Sequence, residues 1–232
     1  MTDIILIPGL WLDASSWDPI VPVLEAQGHR AHPLTLPGVG APASESREIG
    51  IDDWVGAVVE RIDAIDGPVV VVGHSGGGNV AYGAVDRRPD RVARVVLVDT
   101  MPPPDGSAIS EFPVVDGVVP FPGWDSFDEP DVHDLDTETR ARTAAETRSV
   151  PAKVPTDELS LRDPRRFYVP VTVLSGSVDE EGMREMLAQW PAWAANFDAI
   201  ETVEIVTLGT GHWPQFSRPD ALADAILAAL RS

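Results

Sequence analysis

A hydroxyl, an imidazole and a carboxylate held in a row can open an acyl bond, and this chain supplies a small choice of each. The serine that stands out is Ser75, in the run VVVVGHSGGGNV over residues 69–80. Four valines predict a buried strand, and the amphipathic stretch after the serine predicts a helix. A serine at such a sharp strand-to-helix turn projects clear of the sheet, and flanking glycines remove side chains that would clash there. The helix starting at Gly76 turns free N–H groups and its positive dipole end toward the hydroxyl.

A serine hydroxyl is a weak nucleophile at neutral pH and needs a base and an oriented acid. The chain has five histidines. His29 and His32 lie beside the second predicted strand, and His133 sits in a long insertion. His74 adjoins Ser75 on the strand, so its side chain points to the opposite face and is expected to pack behind the turn. His212, in LGTGHWPQFSRP, follows the last strand in a loop on the same sheet edge as Ser75 and is the expected base. The acid is expected after the serine and before the histidine. Asp179, in LSGSVDE after the fifth strand, is preferred; Asp99, in VLVDT after the fourth, is its competitor, and Glu180 a third candidate. On that order, losing the Asp179 carboxylate would cost more activity than losing that of Asp99. A tetrahedral oxyanion needs two backbone donors. The N–H groups of Gly76 and of Leu10, in PGLWLD, are the expected pair, with Trp11 as the alternative to Leu10.

Something must bring these segments together. Apolar runs at residues 4–7, 31–36, 69–72, 92–98, 171–175 and 203–208 read as strands without alternation, hence covered on both faces. Helical patterns fall between them at 17–27, capped by Ser15 or Ser16, at 51–65 and 76–87, at 180–189, and from 217 onward. Strands alternating with helices imply an α/β fold with a mostly parallel, doubly wound sheet of about six strands. The pattern breaks at 101–168, a stretch rich in proline and acid with a helical segment at 137–148. Its aromatic residues Phe112, Phe121, Trp124 and Phe127 favour an ordered cap over a disordered linker. One domain, 1–232, with this insertion is expected.

Composition narrows the partners. The formal charge is −20, from 37 acidic and 17 basic residues, which disfavours nucleic acid and anionic membranes. There is no cysteine and no run of eighteen apolar residues, and no basic stretch precedes the first apolar run. These features point to a cytoplasmic protein, monomer or homodimer, acting on a small molecule. No HExxH, Walker or EF-hand pattern occurs, and GVGAPA at 38–43 fails as a dinucleotide loop because Pro42 sits where a helix should begin. Neither metal nor cofactor is therefore expected. Trp11, Met101, Trp124 and Trp213 are the expected pocket walls. The lack of cationic residues near the site motifs disfavours a highly anionic substrate.

Taken together, IPGL-W, LPGVG, GHSGG, LVDTMPP, SGSVDE and GTGHWPQFSRPDALADAI resemble the α/β-hydrolase family over nearly the whole chain. The likeness is greatest to its compact esterase, hydroxynitrile lyase and methylesterase-like branch. The resemblance implies a Ser75–Asp179–His212 triad under a helical cap, no cofactor, and cleavage of a small carboxylic ester, thioester or lactone. Carbon–carbon bond hydrolysis or hydroxynitrile-lyase chemistry is the alternative on the same scaffold, and a non-catalytic ligand receptor the third reading. Two departures stand out. Pro8-Gly9 replaces the His-Gly of many relatives, and the two leading strands of the larger family pattern are expected to be missing.

Overall fold

Each buried strand sends alternate residues to opposite faces, so a sheet of such strands needs helices on both sides. The computed structural model describes residues 1–231. Its strands are β1 (Asp3–Ile7), β2 (Arg30–Pro33), β3 (Val69–His74), β4 (Val92–Val98), β5 (Val118–Val119), β6 (Val150–Pro151), β7 (Val171–Ser175) and β8 (Val203–Thr207). Six of them form one sheet in the order β2-β1-β3-β4-β7-β8, and every neighbouring pair is parallel. The remaining two, β5 and β6, make an antiparallel ribbon inside the insertion. The helices are α1 (Val21–Ala26), α2 (Ala43–Ser46), α3 (Ile51–Asp63), α4 (Gly76–Arg87), α5 (Glu129–Val132), α6 (Thr137–Glu146), α7 (Glu180–Leu187), α8 (Pro191–Asp198), α9 (Pro214–Ser217) and α10 (Pro219–Ala229). Among the described residues, none of them is long and apolar enough to cross a membrane.

The two faces follow the strand alternation. Ile5, Ile7, Val71, Val95, Leu97 and Val173 meet Trp54, Val55, Val58 and Ile62 of α3 and Val80, Ala81 and Val85 of α4. Ile4, Leu6, Val70, Val72, Val96, Val98 and Leu174 meet Leu24 of α1 and Leu222, Ala223, Ile226 and Leu227 of α10. Burying one such side chain contributes about 1.5–3 kcal/mol. Because both faces are covered, the chemistry is left to the sheet edges.

Several expected elements end one or two residues early, and two others differ further. The strand expected over 31–36 is Arg30–Pro33, an edge strand ending in a proline, which has no ladder N–H to donate. The helix expected over 17–27 is divided into a 3₁₀ turn, Ala14–Trp17, and α1, with Pro19 lying between them. Asp13, and not Ser15 or Ser16, caps that turn, accepting from the Ser15 N–H at 2.9 Å.

One buried carboxylate fastens the far end of the insertion to the helix behind Ser75. Asp86 of α4 accepts the backbone N–H groups of Arg162 and Asp163, both at 2.9 Å, and a hydrogen bond from Arg166 Nη1 at 3.2 Å. Removing one partner strands a buried guanidinium and two N–H groups, at a cost of about 3–5 kcal/mol. Asp86→Ala is therefore expected to lower the unfolding free energy in urea by about that amount; a loss below about 1 kcal/mol would show that the connection carries little.

Candidate active site

Ser75 occupies the turn between β3 and α4 with φ 52° and ψ −127°, outside the regions a serine ordinarily adopts. Its N–H donates to the Val98 carbonyl at 3.0 Å, and its own carbonyl accepts from the Gly78 N–H at 2.8 Å. The neighbouring glycines are demanded by close approach. A Cβ on Gly73 would lie 2.5 Å from the Gly77 carbonyl oxygen, and one on Gly77 would collide with the Pro8 carbonyl.

The His212 ring spans the gap from this serine to a carboxylate. Its Nε2 lies 2.8 Å from Ser75 Oγ, and its Nδ1 lies 2.5 Å from Asp99 Oδ2. An ionised carboxylate can only accept, so Nδ1 carries the proton and Nε2 is left to accept from the serine hydroxyl. Burial opposes charge on Asp99, but hydrogen bonds from His212 and from the Gly176 N–H (2.7 Å) outweigh it and hold the carboxyl below its ordinary value.

The expected acid is thereby corrected. Asp179 does not meet the imidazole; its Oδ1 accepts the Gly182 N–H at 2.9 Å and caps α7. Glu180 is bonded to Arg184 one turn along the same helix. β4 and β7 are neighbours, so Asp99 and Asp179 leave the sheet at the same edge. Asp99 reaches inward because its backbone turns sharply, with φ 48°.

His212 is held through its backbone from two sides. Its N–H donates to the Asp131 carbonyl in α5 at 2.8 Å, and the preceding Gly211 N–H donates to Asp134 Oδ2 at 2.8 Å. Its carbonyl accepts from Nε2 of His74 at 2.8 Å. Gln215 Nε2 lies 3.2 Å from the other ring nitrogen of His74, which leaves that nitrogen to accept. His74 is fully buried behind the turn, and burial drives its pKa down to about 3, so the ring is neutral. The sequence placed His74 behind the elbow; its hold on the His212 carbonyl had no signal there.

Leu10 and Gly76 lie side by side, since a Cβ on Gly76 would sit 3.2 Å from Leu10 Cγ. Among the described residues, no acceptor takes either N–H. Three of the four described non-glycine residues with positive φ are Trp11, Ser75 and Asp99, so backbone strain concentrates here.

A cavity of about 290 Å³ opens over the serine. Trp11 and Trp213 line it as expected, joined by Ile109, Phe112, Phe127 and Asp131 from the insertion. Met101 lines a second cavity of about 280 Å³, which also borders Asp99 and Asp131. Trp124 borders neither cavity; it packs behind the wall against Trp213, ring centroids 4.8 Å apart, and donates to the Arg140 carbonyl. Phe112 and Phe127 were visible as aromatics of the insertion, but nothing marked Asp131. Among the described residues, no cluster of three or more His, Cys, Asp or Glu could hold a metal ion.

Comparisons with known proteins identify the family and the fold. The model of the alpha/beta hydrolase family matches residues 4–225. The chain is 47% identical over 75 residues to lipase LipV of Mycobacterium tuberculosis, covering 32% of this chain and 28% of that protein. It is 36% identical over 98 residues to esterase PIR7B of Oryza sativa subsp. japonica, covering 40% and 37%. Against the pyrethroid hydrolase of Sphingobium wenxiniae it is 31% identical over 102 residues, covering 42% and 35%. The chain thus spans about a third of the length of these curated relatives. Among solved structures, an extracellular alpha/beta-hydrolase from a Paenibacillus species superimposes with a TM-score of 0.77 at 20% identity, covering 99% of both chains. Tomato methylketone synthase I (its H243A variant) does so with 0.76 at 17% identity, covering 99% of this chain and 98% of the other. At these identities the structural likeness establishes the fold.

Neutral His74 makes stability depend on pH. The unfolded chain binds a proton on this histidine near its ordinary pKa of 6.5, whereas the folded chain does not until about 3. Stability from this group is thus complete above pH 6.5 and falls by about 1.4 kcal/mol per unit as pH drops through that window. Between pH 7.5 and 5.5, urea denaturation of the wild type should lose about 1.4 kcal/mol more than that of His74→Gln. Parallel pH dependences would mean that residue 74 is charged or solvated in the fold.

Proposed function

Since the chain belongs to the α/β-hydrolase family, we propose that it cleaves a small carboxylic ester through an acyl-enzyme formed on Ser75. The observation that carries this reading is the imidazole of His212 bonded at once to the Ser75 hydroxyl and the Asp99 carboxylate. Ser75 Oγ attacks the ester carbonyl carbon while its proton passes to His212 Nε2. The carbonyl oxygen, now an oxyanion, accepts from the Leu10 and Gly76 N–H groups. Asp99 steadies the imidazolium through Nδ1–H. Collapse of the tetrahedral adduct breaks the carbon–oxygen bond, and Nε2 returns the proton to the departing alcohol. Water then repeats the sequence, giving up its proton to Nε2 as it attacks the acyl carbon, and Ser75 leaves with that proton restored.

A cavity of about 290 Å³ suits a small substrate. The names of lipase LipV and esterase PIR7B are those of ester-cleaving proteins, that of the pyrethroid hydrolase is a hydrolase's, and together they support the reaction class. Thioesters and lactones present the same electrophilic carbonyl and fall within the same proposal. So does a protein that works without metal or cofactor, since every proton in the cycle has a donor and an acceptor among side chains and water.

Intact-mass analysis after exposure to a fluorophosphonate should show one adduct, lost in Ser75→Ala. With p-nitrophenyl acetate, Asp99→Asn should lower kcat by about 10³–10⁴. Asp179→Asn should change kcat by no more than about threefold, because Asn caps a helix as well as Asp does. The reverse order of the two Asp variants would return the acid role to Asp179, and labelling that survives in Ser75→Ala would remove Ser75 as nucleophile.

A further inference from the structure

Asp131 is the charged side chain that the proposed cycle does not use, although it borders the cavity over Ser75 and the adjoining cavity beside Asp99. Only its main-chain carbonyl has a structural task, in holding the His212 N–H. Among the described residues, no donor meets its carboxyl oxygens, and it is half-buried. No lysine or arginine lines either cavity. The other ionisable groups along the two walls are already accounted for. Asp99 is taken up by His212 and the Gly176 N–H. His74 is neutral, and His212 faces Ser75. Burial pushes the Asp131 carboxyl above its ordinary value despite nearby His212, and Asp99 and Asp128 push it the same way, so this corner lacks positive charge.

The surrounding walls are aromatic and soft. Phe127 and Trp213, their rings 4.7 Å apart, line the cavity over Ser75 together with Asp131, and Trp193, Met183 and Met186 line the adjoining cavity that Asp131 also borders. A half-buried carboxylate among aromatic faces is a poor neighbour for an anion and a good one for a weakly hydrated cation. Ring quadrupoles attract a quaternary or tertiary ammonium over their faces, and the carboxylate supplies the countercharge.

We propose that Asp131 and the aromatic walls around it form a cation subsite, which selects esters bearing an ammonium group a few bonds from the scissile carbonyl. This rests on the esterase reading above, because the subsite is defined by its position beside Ser75. Ammonium binding at Asp131 would place the carbonyl in the serine cavity, and the rest of the chain would run into the second cavity past Met101.

The test compares acetylcholine with its uncharged isostere, 3,3-dimethylbutyl acetate. The wild type should favour the cation in kcat/KM by about tenfold, and Asp131→Asn should bring that ratio close to one. A ratio cancels any general effect of the substitution on the site. A wild-type ratio of one or less overturns the proposal, as does a ratio unchanged in Asp131→Asn. The second outcome would also be seen if the carboxylate merely supported the His212 imidazolium, since both esters would then slow alike. A binding measurement on the wild type guards against a variant that fails to fold. Choline chloride should shift the tryptophan fluorescence at least tenfold below the concentration of 3,3-dimethylbutanol that does so, at fixed ionic strength; equal concentrations overturn the subsite. Failure of the esterase reading looks different, because neither ester would then turn over and Ser75 would take no fluorophosphonate, whatever choline does to the fluorescence.

Discussion

One imidazole joins three segments that lie far apart along the chain. His212 is 137 residues from Ser75 and 113 from Asp99, yet its two nitrogens lie 2.8 and 2.5 Å from their oxygens. Hydrogen bonds of that length tolerate little error in the backbone beneath them. The fold can be understood as the apparatus that removes the error. A parallel sheet covered on both faces fixes β3 and β4 side by side, so the ends of those strands present Ser75 and Asp99 at neighbouring positions on one edge. The loop after β8 then has to bring the histidine back across the sheet edge.

That loop is held by its main chain more than by its side chain. The cap takes the His212 N–H through Asp131 and the Gly211 N–H through Asp134, while His74 takes the His212 carbonyl from beneath. The cap therefore does two jobs: it walls the cavity with Phe112 and Phe127 and anchors the His212 loop. Its own far end is tied by Asp86 to the helix that follows Ser75, so that helix and the insertion share one buried charge network. Strain gathers where these constraints meet. Trp11, Ser75 and Asp99 all take positive φ without being glycine, a cost of order 1–3 kcal/mol each that only an over-determined surrounding can hold.

Much of this was legible in the residues, for identifiable reasons. The unbroken apolar runs of β1 and β3 read as buried strands, and the alternation of strand and helix patterns along the chain implied a mostly parallel sheet of about six strands. Ser75 could be read because glycines on both sides of a strand-end serine weaken the strand and the helix alike unless a crowded, sharp turn requires them. His212 could be read because its loop follows the last strand. The acid could not be separated in the same way. Asp99 and Asp179 both follow central strands at one edge, and chain order admits either. The discriminating sign was local: Asp179 is followed by Glu180 and Glu181 at the start of a helix, which is the signature of an N-cap. The positive-φ turn that aims Asp99 leaves no mark beyond being an Asp, a type that tolerates φ above zero. Trp124 was misplaced for a similar reason, because an aromatic in a cap packs behind the wall as readily as on it. The placement of Asp131 beside both cavities arises from α5 lying against the His212 loop, a long-range contact that no spacing in the sequence encodes.

The proposed catalytic arrangement stands on the tautomer and partner of His212, and these can be observed directly. In protein labelled with ¹⁵N at histidine, the His212 imidazole should carry its proton on Nδ1, with a strongly deshielded proton resonance that moves when Asp99 is replaced by Asn and stays put when Asp179 is. A His212 protonated on Nε2, or a resonance that answers to Asp179 and not to Asp99, would contradict the arrangement of hydroxyl, imidazole and carboxylate from which everything else follows.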